Sequence, residues 1–468
     1  MPGDPSTAAV RARTLVPLLG AFDAVMIVAG GVVGVGIFIN PSEVARILPS
    51  PPAILLAWVV GGVAAMMGGI ACSKLGRRFP RAGGLYVYLR EAYGPAVAFL
   101  YGWTVLLAIF SGITAAISLT FARYAGVLFP ALGGHERAVA AALVGALALV
   151  NYRGLRTSGN VQNVLSMAKL AGIAMLALLA LATGGGKAVP LAGPAPGLGA
   201  FLFALFPVFM SYGGWYTLTF LAADVRAPER NLPIGIVGGL ALVIATYALI
   251  NAAYMRVLRV DEIARSPAVA AEMAGRILGG RGAGVLALLV LVSAPGAVNV
   301  LILSGSRLYY AMAKDGLFFA GAARLHPRYG SPAWSIAAQA LWSGVLLVSH
   351  TYGQLLQGTM FAEWTFFALI GLSVFVFAAR EPGFYRGAGE RALIGASAAG
   401  FTGVAAAVVG NALFQSPRQA LVGVAVMLAG LPVYAMWRGR RSAAARLGRA
   451  AGIDHDGAGA VVEVDGVE

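Results

Sequence analysis

Apolar runs of membrane-spanning length recur along the chain, at approximately 16–39, 53–73, 95–121, 138–152, 161–183, 199–222, 234–255, 285–311, 334–350, 361–379, 393–413 and 420–437. A helix needs about 20 residues to cross a bilayer, so the pattern predicts twelve transmembrane helices. Two stretches between them are amphipathic instead. Residues 84–93 (GLYVYLREAY) read as a short interfacial helix and 261–278 as a helical outer loop. After Arg449 the periodicity ends, and 454–468 reads as a disordered tail. The organisation expected is a cytoplasmic segment (1–15), a five-helix unit (16–183), a second (199–380), a helix pair (393–437) and a cytoplasmic tail (438–468).

Two of the runs are interrupted in their middle. The first carries AGGVVGVGIF from Ala29, and the sixth carries FMSYGGWYT from Phe209. Each glycine costs a helix about 1 kcal/mol relative to alanine, so such clusters favour local unwinding. Gly30 and Gly34 also fit tight helix packing through small residues. Placement tips the balance, because the first and sixth runs hold corresponding positions in the two five-helix units. Paired broken helices point to a substrate site at the interface of inverted repeats. Unwound backbone offers amides, reinforced by a half-helix N-terminus, to a carboxylate. Freed carbonyls suit an ammonium group. An amino acid carries both charges on one carbon.

Composition removes the soluble classes. Of 468 residues 59% are hydrophobic and 11% charged, where a soluble domain would carry about a quarter charged. One cysteine (Cys72) excludes a disulfide framework, and four histidines leave no zinc cluster to argue from. Those histidines (His135, His326, His350, His455) fall in loops, at a run end or in the tail, which argues against an intramembrane enzyme. The net charge of +15 does not indicate nucleic acid. Most basic residues fall in alternate loops, as in Lys74, Arg77, Arg78 and Arg81, or Arg380, Arg386 and Arg391. That alternation predicts both termini in the cytoplasm and an even number of spans. The basic loop 256–281 breaks the pattern, partly offset by Asp261, Glu262 and Glu272. No signal peptide is expected, since the first run leads straight into more membrane.

Lys169 stands well inside the fifth run, about 12 Å down the helix axis from Val161 at 1.5 Å per residue. Intramembrane ionisable residues are costly and point to function, with strained snorkelling as the bland alternative. Its ammonium is expected to cross-link the broken first helix to span 8. Glu363, near the outer end of span 10, is the main buried-acid candidate, for an interfacial or a transport role, with Asp23 less deep. No acid is expected beside the sixth-span break, so small or medium neutral side chains are expected over cationic ones. Gln162, Asn163, Asn251 and Asn299 read as interhelical glue.

Four segments together resemble the amino acid–polyamine–organocation superfamily of permeases. They are GVVGVGIF (31–38), KLGRRFPRAGGLYVYLREAYGP (74–95), SYGGWYTLTFLAADVRAPERNLP (211–233) and SGSRLYYAMAKDGLF (304–318). The resemblance covers spans 1–10 and implies an all-α membrane protein of LeuT-type 5+5 inverted repeat, with helices 1 and 6 broken and two helices added. It implies a secondary transporter of amino acids with no enzymatic activity, cofactor or metal, in the cell membrane as monomer or homodimer. It further implies that Val35, Gly36 and Ile37 offer amides to the substrate carboxylate, and that Val32 and Gly213 offer carbonyls to its amino group. Lys169 is similar to the built-in cation of sodium-independent members, and Ser293 and Gly296 fall on the small-residue stretch facing it. Met210 is a further substrate-binding candidate, and Phe209, Tyr212 and Glu363 are candidates for gate or secondary positions. The chain departs from the pattern at Val35 (usually Ser or Thr), Met210 (an aromatic gate), Lys74 (an acid) and Pro295 (an aromatic residue). Proton symport and exchange both fit. A polyamine or cationic amino acid antiporter, or a non-transporting nutrient sensor, remains open. A major facilitator fold would need a long loop between spans 6 and 7 and no paired breaks, and a channel a filter motif.

Overall fold

A computed structural model describes residues 15–183, 195–349, 352–415 and 417–438. Apart from Leu15 and Arg438, the expected terminal segments 1–15 and 438–468 lie outside the described residues, as does His350. Up to Thr183 the helices are α1 (Ala21–Val32), α2 (Gly36–Ile47), α3 (Pro51–Arg78), α4 (Leu85–Tyr93), α5 (Pro95–Thr104), α6 (Phe110–Leu128), α7 (Glu136–Tyr152) and α8 (Leu155–Thr183). From Leu198 to Arg380 they are α9 (Leu198–Ser211), α10 (Thr217–Phe220), α11 (Pro228–Val257), α12 (Val260–Arg265), α13 (Val269–Leu278), α14 (Gly282–Lys314), α15 (Ala333–Ser349) and α16 (Tyr352–Arg380). Two helices follow, α17 (Ala388–Gln415) and α18 (Pro417–Leu428). A π-helical turn at Val105–Ile109 joins α5 to α6 as one span.

Twelve crossings were expected. Among the described residues, eight helices are long and apolar enough to cross a membrane, or nine if α1 and α2, bent by 50°, count as one. The expected fourth span, α7, has 17 residues, about 25 Å at 1.5 Å per residue, and the ninth, α15, is described over 17 residues as far as Ser349. The sixth is stopped after the 14 residues of α9 by its own break. The short helix expected at 84–93 is present as α4, and the helical loop expected at 261–278 forms two helices, α12 and α13.

The first span also runs further than its hydropathy, since α2 continues through Pro41 to Ile47. Proline lacks the N–H that would bond the carbonyl four residues back. That carbonyl belongs to Ile37, and the Tyr254 hydroxyl donates to it instead at 3.2 Å. In the packed interior α11 lies against α1, α3 and α8, while α14 lies against α1, α6 and α8. These contacts bring α8, α11 and α14 around the two interrupted spans.

Candidate functional site

The chain unwinds between α1 and α2 at 33–35 and between α9 and α10 at 212–216. Unwinding leaves carbonyls at the end of α1 without helical partners, and in a membrane each must be satisfied. Lys169 from α8 donates to the Gly30 carbonyl at 2.8 Å and to that of Val33 at 2.8 Å. Ser293 from α14 donates to Val33 as well, at 3.3 Å. The Tyr247 hydroxyl from α11 reaches the Val32 carbonyl at 3.1 Å and the Ser211 carbonyl, beside the other break, at 2.9 Å. Lys169 is fully buried. A Cβ on Gly296 of α14 would lie 3.1 Å from its Nζ, so the glycine leaves room for the ammonium. Lys169 thus joins the first break directly, with Ser293 and Gly296 of the eighth span packed around it.

The second break is held differently. Its amides and hydroxyls bond nearby carbonyls: Gly213 N–H to Met210 at 3.4 Å, Thr217 Oγ1 to Gly214 at 2.7 Å and Thr219 Oγ1 to Tyr216 at 2.7 Å. Gly214 has φ +101°, and a Cβ there would lie 2.5 Å from the Gly31 carbonyl oxygen. Only glycine permits this approach of one broken backbone to the other. Asn40 of α2 ties that half-helix to α9, donating to Pro207 O at 3.0 Å and Ser211 Oγ at 2.8 Å.

A cavity of about 290 Å³ lies against both breaks. Of the residues expected at the site, Val32, Val35, Gly36, Phe209, Met210, Tyr212, Gly213 and Glu363 line it. Ile37, Lys169 and Ser293 do not. The Val32 carbonyl, expected to face an amino group, already accepts the Tyr247 bond. Aromatic side chains form much of the remaining wall. Trp364 and Phe209 centroids are 5.3 Å apart, Tyr216 and Phe367 5.0 Å, and Trp215 and Phe401 5.4 Å.

One expectation is overturned. An acid does stand beside the sixth-span break, because Glu363 of α16 lines the cavity and accepts a hydrogen bond from the Tyr216 hydroxyl. Hydropathy placed Glu363 near the outer end of its helix, but the break leads Tyr216 to it. The premise for preferring neutral side chains falls with it.

The remaining polar residues divide. Asn299 bonds Gln162 at 3.0 Å and Asn151 at 2.8 Å across helices, and Asn163 bonds Asp23 at 2.6 Å. Asn251 instead donates within its own helix, to Tyr247 O. Lys74 finds its counter-charge in Glu390 of α17 at 3.1 Å, while α14 passes through Pro295 unbroken. Tyr247, Asn40 and Tyr216 were not singled out in the sequence. The tyrosines Tyr247 and Tyr254, two turns apart on α11, were the available signal, since each serves a carbonyl of the broken first span.

A model of the amino acid permease family matches residues 19–436. The chain is 31% identical to b(0,+)-type amino acid transporter 1 of Homo sapiens over 376 residues, 78% of this chain and 77% of that one. It is 27% identical to the serine/threonine exchanger SteT of Bacillus subtilis over 424 residues, covering 89% and 95% of the two. Identity to the cystine/glutamate transporter of Homo sapiens is 27% over 422 residues, covering 88% and 83%.

Proposed function

Because the chain belongs to the amino acid permease family, we propose that it exchanges amino acids across the cell membrane by alternating access, without sodium. It is a multi-pass membrane transporter of amino acids and not an enzyme. The observation that carries the finer reading is the Lys169 ammonium bonded to the Gly30 and Val33 carbonyls. A fixed cation at unwound carbonyls occupies the kind of place where a coupling ion binds in transporters with broken helices. Exchange is favoured over proton symport by the similarity to a named exchanger over most of both chains.

In this reading the fold is the LeuT-type 5+5 inverted repeat in twelve spans, with α17 and α18 added and both termini cytoplasmic. The substrate carboxylate meets the amides of Val35 and Gly36, which line the cavity at the N-terminus of α2, where helix N–H groups lack internal partners. The amino group meets the free lone pair of Val32 O and the carbonyl of Gly213. Phe209, Met210 and Tyr212 close over it, and rocking of the broken helices opens the cavity to each side in turn.

Purified protein in liposomes tests this. Uptake of labelled amino acids should require amino acid inside the vesicle and should not change when sodium is replaced. Uptake into empty vesicles driven by a pH gradient would replace exchange with symport. Binding without flux under any gradient would make the protein a sensor.

A further inference from the structure

Among the described residues, the cavity lining holds one carboxylate and no Lys, Arg or His. Glu363 receives the Tyr216 hydroxyl, which is a single proton donor and brings no charge. A carboxylate inside the membrane is costly unless a positive group meets it. Lys169 does not line the cavity and is bonded to the first break. The walls near Glu363 are rings. Trp364 is its chain neighbour and Phe367 lies one turn on, with Tyr216 and Phe367 centroids 5.0 Å apart and Trp364 and Phe367 5.6 Å. The faces of Trp, Tyr and Phe attract cations. A carboxylate set among rings, with no fixed cation among the described residues of the lining, is a receptor for a mobile one.

We propose that the Glu363 end of the cavity is a subsite for a positively charged substrate side chain, an ammonium or guanidinium, resting on the cavity being the amino acid site. Tyr216 is a positioning residue that orients the carboxylate, and the neighbouring rings exclude water from the cation. The backbone breaks recognise the α-amino and α-carboxylate groups, which every substrate shares. Glu363 reads what differs between substrates.

Melting of the purified protein under titration with arginine, citrulline and agmatine tests this. Citrulline is the near-isosteric neutral form of arginine, and agmatine keeps the guanidinium but lacks the carboxylate. In wild type, arginine should reach half its effect at about 10- to 100-fold lower concentration than citrulline, the range expected for a hydrogen bond to a charged group. In Glu363→Gln that ratio should fall to near one. An equal response to arginine and citrulline in wild type, or an unchanged ratio in Glu363→Gln, overturns the subsite. Equal weakening of both ligands in the variant also overturns it, because Glu363 would then read the α-amino group. A response to agmatine with none to arginine or citrulline would support the cation subsite while removing the amino acid reading. No response to any of the three overturns the subsite. Should Glu363→Gln show no cooperative melt, Glu363→Asp decides, since pulling back the carboxylate must also lower the ratio.

Discussion

The two interrupted spans meet the same requirement by opposite means. At the end of α1 the freed carbonyls of Gly30, Val32 and Val33 are satisfied by side chains from α8, α11 and α14. After α9 the chain folds into turns and satisfies much of itself, through the amides of Gly213 and Thr217 and the hydroxyls of Thr217 and Thr219. The first break is held from outside and the second mainly from within. An externally held break responds to motion of its neighbours, whereas a self-held break moves as a unit.

The sharpest way to break this contrast is at Lys169. Lys169→Met keeps the aliphatic stem and leaves Gly30 O without its donor, removing bonds worth about 1.5–3 kcal/mol each. Flux in liposomes is expected to drop about tenfold or more with membrane insertion retained. Near-normal flux would remove Lys169 from the mechanism. Next in size is Gly214→Ala. Its φ of +101° and the 2.5 Å approach of a Cβ to Gly31 O set a cost of about 1–3 kcal/mol. A melting temperature equal to wild type would show that the two breaks need not touch.

Tyr247→Phe takes the hydroxyl from both breaks and is expected to cost about 1–3 kcal/mol, as buried acceptors lose a partner. Thr217→Val touches only the self-held break, where the amide of Thr217 still bonds Gly214 O. About 0.5–1.5 kcal/mol is expected, and melting curves of both variants rank them. A larger loss from Thr217→Val would reverse the contrast.

The smallest effect is at the rim, where Arg46 of α2 bonds Ala264 O of α12 at 2.8 Å. Beside it, the hydrogen bond from Arg276 and that from the Arg259 amide hold the Glu262 carboxyl down from 4.5 to about 2. A lowered carboxyl supports the fold above its unfolded value and loses that support as pH falls through the folded one. The rim contribution is therefore complete above about pH 4.5 and fades toward pH 2. In Glu262→Gln this part of the pH dependence should vanish, which melting curves between pH 5 and about 2.5 would reveal. Identical slopes for variant and wild type would discount the rim.

Local signals made part of this legible in the sequence. Four glycines within Gly30 to Gly36, the Gly213 and Gly214 pair and a lone cation among apolar residues are visible in one short window each. What joins them is not local. Asn40 reaches Ser211 across 171 positions, and Tyr216 reaches Glu363 across 147. Hydropathy fixes depth along one helix and says nothing of which neighbouring break turns a tyrosine toward it. The same limit explains Pro41. A proline reads as a helix end until a distant hydroxyl takes the carbonyl it releases. Hydropathy likewise ran the sixth span without interruption from 199 to 222, although α9 stops at Ser211 where the break begins.

Tyr247 sits within reach of one carbonyl from each break, yet a phenol has a single hydrogen to give. At any instant Val32 O or Ser211 O holds it fully, or the two divide it in a weaker three-centre bond. A displacement that draws one half-helix toward α11 therefore favours that carbonyl at the expense of the other. The hydroxyl works as a balance beam, tipping between two weights it cannot lift together. Each direction of tilt is a distinct shape of the cavity wall, distinguished by the ownership of one proton.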